Sequence, residues 1–217
     1  RYAEVGAYQS SDSPSAALYH SKQFPDRYDC WWNIPILPRI NGDHPDCRAY
    51  LAGRDGIAAM RMRGGIAGWR LDVADELSNG FLEELRESTH AAANEQPLII
   101  GEVWENAVDK MAYGARRRYF LGKQLDSVMN YPLRDAIITF LKTSNVAALY
   151  NTLTELYCSY PRPVCHALMN LLGTHDTVRI LTVLGDPQPD QPRTNDTLAV
   201  KRLDREERAH ALSLLRS

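Results

Sequence analysis

The 217 residues carry 25 Lys and Arg against 27 Asp and Glu, enough chain for one domain with a sizeable core and a formal net charge of only −2. That near balance argues against a nucleic-acid partner, which would need a basic patch or stripe, and no apolar run approaches the roughly 20 residues of a membrane span. The four cysteines, Cys30, Cys47, Cys158 and Cys165, form neither a CxxC pair nor a Cys/His set with zinc-ligand spacing. They read as free, partly buried thiols, with a disulfide left open, and they incline weakly towards a reducing, cytoplasmic compartment. The chain opens on Arg1 rather than Met, so the natural start is expected to lie upstream and a missing leader says little about secretion.

Residues 1–43 are rich in Ser, Pro, Tyr, Asp and Trp and show little helical period. Ser10-Ser11-Asp12-Ser13-Pro14, Phe24-Pro25-Asp26 and Ile34-Pro35-Ile36-Leu37-Pro38 are loop chemistry. The adjacent Trp31 and Trp32 suit either a sugar-stacking surface or a small local core, the latter preferred for at least one of them. From His44 to about Arg63 the pattern turns helical, weakened in its middle by Gly53 and Gly56. Gly65 to Glu76, a short run of Gly and apolar residues that ends abruptly in charge, then reads as a buried strand, with Arg70 and Asp72 leaving by the same face.

Ser78 or Asn79 is set to cap a helix with Phe81, Leu82 and Leu85 on its buried face. Pro97 to Trp104 is a second apolar strand, closing on Glu102. Lys110 to Leu121, basic and tyrosine-bearing, predicts a surface helix. Leu125 to Tyr131 predicts a third strand, and Pro132 to about Tyr157 one or two helices, with Ile137, Ile138, Phe140 and Leu141 as core candidates. Ala167 to Leu172 predicts a fourth strand, running into Gly173-Thr174-His175-Asp176-Thr177. Residues 185–200 hold three prolines and predict an exposed loop, followed by a charged helix from Leu203 to Leu215. Strands alternating with helices are the signature of a parallel α/β protein.

Three of the four predicted strands end in acid, at Asp72, Glu102 and Asp176. In a (β/α) barrel the active site gathers at the C-terminal ends of the strands, which would bring these carboxylates together. Three carboxylates with one Arg and one His suit glycosidic cleavage, which needs a carboxylate at the anomeric carbon and a protonated acid at the leaving oxygen. Each alone has a plainer reading. Arg70–Asp72 can be a structural ion pair, Glu102 a helix cap, and His175-Asp176 part of a divalent-metal site, although a metal hydrolase would show more histidines at these strand ends. The order of the three favours the glycosidase.

Gly68-Trp69-Arg70-Leu71-Asp72-Val73-Ala74 resembles the fourth-strand motif of the alpha-amylase family of glycoside hydrolases. Gly101-Glu102-Val103-Trp104 resembles the fifth-strand motif, and Asn170 to Thr177 the seventh. Leu37-Pro38-Arg39-Ile40-Asn41 is similar to the motif closing the family's inserted loop domain. Met129-Asn130-Tyr131-Pro132 is similar to the sixth-strand segment of the neopullulanase and cyclomaltodextrinase branch.

The resemblance implies a partial (β/α)8 TIM barrel, about the fourth to seventh strands (44–217), with part of an inserted loop domain (1–43). It implies Asp72 as nucleophile, Glu102 as general acid and then base, and Asp176 as holder of the 2- and 3-hydroxyls. Arg70 keeps Asp72 ionised and aimed, while His175 and Trp104 contact the sugar. The implied substrate is an α-glucan or maltooligosaccharide, with no cofactor, no nucleic acid and no membrane. The family's structural calcium finds no support in these residues, and a homo-oligomer is left open. Transfer to another sugar and a non-catalytic subunit role are the alternatives; the intact acid triad argues against the second. Two departures stand out. The family's third-strand motif and its earlier stacking aromatic are absent, and Gly42 stands where neopullulanase-type relatives commonly carry an acid.

Overall fold

The computed structural model describes residues 5–112, 114–186 and 203–216. The chain divides into two units, Arg1–Ile99 with Leu121–Leu125 and Ile100–Phe120 with Asp126–Ser217.

In the first unit the loop-rich start is held by a short antiparallel pair, β1 (Ser21–Gln23) and β2 (Arg27–Tyr28), and by antiparallel bridges Tyr19–Ile40 and Cys30–Pro38. Trp31 is half-buried, with the Arg39 guanidinium 5.9 Å from its ring centroid, whereas Trp32 is 70% exposed. Where one helical pattern is predicted over 44–63 there are two helices, α1 (Pro45–Ala52) and α2 (Ile57–Arg63). The break is steric as well as conformational. A Cβ on Gly56 would sit 2.7 Å from the Ala49 carbonyl and 2.8 Å from that of Tyr50. The Gly64–Gly65 turn leads into β3 (Gly68–Leu71).

Helix α3 (Asn79–Ala92) buries Phe81, Leu82 and Leu85 as its periodicity predicts, and it packs on α1 and α2. Beside β3, the Leu98 amide at the start of β4 (Leu98–Gly101) donates to the Ala67 carbonyl at 3.1 Å.

The start of α3 carries a polar knot. Ser78 Oγ accepts the Phe81 N–H at 3.1 Å and donates to Asp43 Oδ1 at 2.5 Å, an oxygen that Arg48 Nη2 also reaches at 2.6 Å. The Ser78 hydrogen bond, and then Arg48, hold the Asp43 carboxyl below the usual range. A depressed folded pKa stabilises above the unfolded value, near 3.9, and that contribution is lost as pH falls through the folded one. Ser78→Ala is therefore expected to cost about 1 kcal/mol at neutral pH, mostly from the lost cap. In urea titrations at pH 7 and pH 3, the gap to the wild type should narrow at the lower pH. A gap independent of pH would remove the carboxylate from the account.

In the second unit the end of β4 pairs in parallel with β7 (Ser127–Val128), Ile100 beside Ser127 and Gly101 beside Val128, and a parallel bridge joins Met129 to Met169. The predicted fourth strand, 167–172, is thus reduced to that single bridge. The chain reaches Ala167 straight from helix α6 (Arg162–His166), which leaves one residue in register. The predicted helix over 110–121 is instead an antiparallel hairpin, β5 (Met111–Ala112) against β6 (Ala115–Arg116). Gly114, at φ +74°, supplies a left-handed turn that a helix would not accept.

The two further helices are α4 (Tyr131–Thr143) and α5 (Val146–Ser159), parted at Ser144 (φ 56°). Ile138 on α4 meets Val183 and Leu184 on α7 (Ile180–Gly185) and Ala211 on α8 (Arg205–Arg216). Leu141 packs at the edge of this cluster, and Ile137 and Phe140 are half-buried. The predicted loop over 185–200 lies outside the described residues beyond Asp186. All four cysteines are free. Among the described residues no helix is long and apolar enough to cross a membrane.

Candidate active site

Strand β3 sets the first unit's share. Arg70 and Asp72, two residues apart, leave by one face and form an ion pair through Arg70 Nη1 and Asp72 Oδ1. The Asp72 side chain is 70% exposed, so its carboxylate stands open to solvent. The backbone turns sharply just after it: Val73 adopts φ 42°, ψ 61°, a left-handed conformation costly for a β-branched residue. Strain of this kind, beside an exposed carboxylate at a strand end, is a mark of a functional position.

The turn that follows, Ala74–Glu76, is tied back to the loop-rich segment. Arg39 Nη2 donates to the Glu76 carbonyl at 3.0 Å, and Nη1 lies 3.4 Å from the Glu76 carboxylate. The Leu37-Pro38-Arg39-Ile40-Asn41 stretch therefore braces the backbone that presents Asp72.

The second unit brings Glu102, Trp104 and Asp176 into one network. Glu102 follows β4 directly and is 3% exposed, with Val103 fully buried behind it. Trp104, half open to solvent, stacks on Tyr131 at 4.1 Å between centroids and 10° between planes. The Tyr131 hydroxyl donates to Glu102 Oε1 at 3.4 Å and lies 3.4 Å from Thr174 Oγ1. Thr174 Oγ1 in turn accepts the Asp176 N–H at 3.2 Å. His175 Nε2 is 3.2 Å from Asp176 Oδ2, both side chains being accessible.

Supports surround this network. Asn130 caps α4 through the Leu133 N–H and donates to Asn170 Oδ1 at 2.9 Å, joining the segments before Tyr131 and Thr174. Beyond Trp104, Asn106 bonds Glu155 at 2.8 Å and Ser159 at 3.1 Å, and the Ala107 N–H donates to the Tyr160 hydroxyl at 2.9 Å. Burial pushes the Tyr160 phenol up, so it stays protonated.

Of the six residues singled out in the sequence, Arg70 and Asp72 thus meet in the first unit and Glu102, Trp104, His175 and Asp176 in the second. Tyr131, Thr174 and the Asn130–Asn170 pair were not assigned roles. In the sequence, Asn130 and Tyr131 are marked by the Asn-Tyr-Pro junction, a cap and a first-turn proline placed directly after a strand, and Asn170 and Thr174 lie in the stretch that resembles the seventh-strand motif. Among the described residues no group of three or more His, Cys, Asp or Glu is placed to hold a metal ion.

Residues 19–203 match the family model described as alpha amylase, catalytic domain. A cyclomaltodextrinase from Geobacillus thermopakistaniensis is 36% identical over 196 residues, covering 84% of this chain and 31% of the relative. Neopullulanase 2 from Thermoactinomyces vulgaris is 36% identical over 154 residues, covering 70% of this chain and 24% of the relative. Among solved structures, the cyclic alpha-maltosyl-(1→6)-maltose hydrolase from Arthrobacter globiformis superposes with a TM-score of 0.70 at 28% identity, covering 81% of this chain and 39% of that one. The chain therefore spans about a third or less of the length of these curated relatives.

Proposed function

We propose that this chain, which belongs to the alpha-amylase catalytic-domain family, carries the acid residues of a retaining hydrolase of α-glucosidic bonds. Asp72 attacks the anomeric carbon and forms a covalent glycosyl ester. Glu102 gives its proton to the leaving oxygen, then takes one from the water that releases the sugar. Asp176 holds the 2- and 3-hydroxyls of the reacting sugar, with His175 beside it and Trp104 offering a face for stacking. Arg70 pairs with Asp72 and aims it. The substrate class is an α-glucan, in keeping with relatives named for cyclomaltodextrin and pullulan. Architecturally the chain supplies about the fourth to seventh strands of a (β/α)8 barrel, with residues 1–43 as part of an inserted loop domain.

The observation that carries this reading is Glu102: a carboxyl 3% exposed, directly after a parallel strand, within hydrogen-bond reach of a buried phenol. A buried carboxyl held by a phenol at a strand end is placed for general acid–base work on a leaving group. The exposed Asp72 at the end of β3 supports the nucleophile's role.

The test is stereochemical. Proton NMR of the full-length protein acting on a maltooligosaccharide should show the α-anomer of the new reducing end first, with the β-anomer growing only by mutarotation. Initial release of the β-anomer would sink the retaining mechanism. Products longer than the substrate would establish transfer to sugar as the competing outcome.

A further inference from the structure

We propose that Tyr131 is a positioning residue for the proton-transfer step, the middle of a one-way hydrogen-bond chain from the backbone of Asp176 to the carboxyl of Glu102. This rests on the retaining reading given above. The Asp176 N–H donates to Thr174 Oγ1 at 3.2 Å, Thr174 Oγ1 and Tyr131 Oη are 3.4 Å apart, and Tyr131 Oη donates to Glu102 Oε1 at 3.4 Å. The direction is set from the carboxyl end. The phenol has one proton and gives it to Glu102 Oε1, so in the Thr174 contact Oη accepts and Thr174 Oγ1 donates. Thr174 Oγ1 meanwhile accepts the Asp176 N–H. Every hydroxyl in the chain both accepts and donates, the arrangement in which neighbouring hydrogen bonds strengthen one another.

The phenol has little freedom to swing. Tyr131 is 1% exposed, its ring lies against Trp104 at 4.1 Å, and its backbone begins α4 under the Asn130 cap. Both bonds to Oη are long for hydroxyls, as catalytic contacts often are before substrate closes on them.

The chemical consequence concerns which oxygen of Glu102 works. With Oε1 accepting from Tyr131, the transferable proton belongs on Oε2. In the first step the Oε2–H bond breaks and the proton joins the leaving glycosidic oxygen, which keeps the electron pair of the broken C–O bond. In the second step water returns a proton to Oε2 as its oxygen bonds the anomeric carbon and the Asp72 ester is released. The Tyr131 proton stays on Oη throughout. Its work is to fix the rotation of the carboxyl and to stabilise the negative charge left after the first transfer.

The experiment compares two leaving groups in the full-length protein. A maltooligosaccharide such as maltotriose needs protonation to leave, whereas fluoride on α-maltosyl fluoride does not. Tyr131→Phe keeps the ring and its stacking and removes only Oη. Its kcat/KM on maltotriose is expected to fall about tenfold or more, and at least about fivefold further than on the fluoride. Equal losses on both substrates, or none on maltotriose, overturn the proposal. Thr174→Val, which removes the hydroxyl feeding the phenol, is expected to show the same selective loss in smaller degree. Should Tyr131→Phe fail to fold by circular dichroism, this second variant decides. Glu102→Gln is run in parallel. If it shows no selective loss on maltotriose, the acid assignment itself falls. If it does and the Tyr131 and Thr174 variants do not, only the hydrogen-bond chain falls.

Discussion

Asp72→Asn and Glu102→Gln are each expected to lower kcat on maltooligosaccharides by about a thousandfold or more, roughly 4 kcal/mol of barrier, with little change in thermal midpoint. Both substitutions nearly preserve shape and remove only the charge or proton that the reaction uses. Stability should survive for different reasons at the two sites. Asp72 is largely exposed, and its pairing with Arg70 is of the kind that contributes at most about 1 kcal/mol. Gln at position 102 can still accept the Tyr131 hydroxyl through its amide oxygen.

The full-length protein should separate the two roles further through azide rescue of alanine variants. Where Asp72 is Ala, azide attacks the anomeric carbon directly in a single displacement and gives the β-glycosyl azide. Where Glu102 is Ala, azide replaces water on the covalent intermediate and gives the α-product. Near wild-type turnover in either near-isosteric variant, or the same anomer from both rescues, would show the roles to be misassigned.

The positions of Asp72 and Glu102 at strand ends were legible in the sequence because each stands where a short apolar run meets charge, and such junctions depend on local pattern alone. Helix α3 was legible for the same reason: Ser78 caps it, and Phe81, Leu82 and Leu85 repeat at helical spacing. The hairpin at 111–116 was not. Its basic residues mimic a solvated helix face, and its geometry is decided by one left-handed glycine and a pairing of Met111 with Arg116. The strand expected over 167–172 failed differently. Apolar composition spoke for pairing along its length, but pairing needs a partner in register, and only Met169 has one among the described residues. Tyr131 was legible as part of the Met129-Asn130-Tyr131-Pro132 segment, but its role was not, because nothing local specifies its partners. Its role comes from Trp104, Glu102 and Thr174, brought to it from both sides along the chain.

The second large effect is structural and falls at Gly68, where β3 begins. A Cβ there would lie 2.0 Å from the Leu98 carbonyl oxygen, 2.8 Å from the Leu98 nitrogen and 2.9 Å from its carbonyl carbon. All three are backbone atoms of the neighbouring strand, so no side-chain rotation relieves the clash, and one strand must shift. Gly68→Ala is therefore expected to cost about 3 kcal/mol or more, the upper end of what an added methyl does in a packed interior. Gly65, three residues earlier, provides the contrast. It adopts φ +95° with nothing within 4 Å of a Cβ, so Gly65→Ala meets no neighbour and costs only the left-handed backbone penalty, about 1–2 kcal/mol. Urea unfolding of the two variants should rank them with Gly68→Ala clearly the worse. The reverse order, or a Gly68→Ala loss below about 1 kcal/mol, would show that β3 can retreat from Leu98 at little cost. Activity should follow the same ranking, because Arg70 and Asp72 ride on the strand that would have to move, and a displacement of about 1 Å at a reacting carboxylate is worth about a hundredfold in rate.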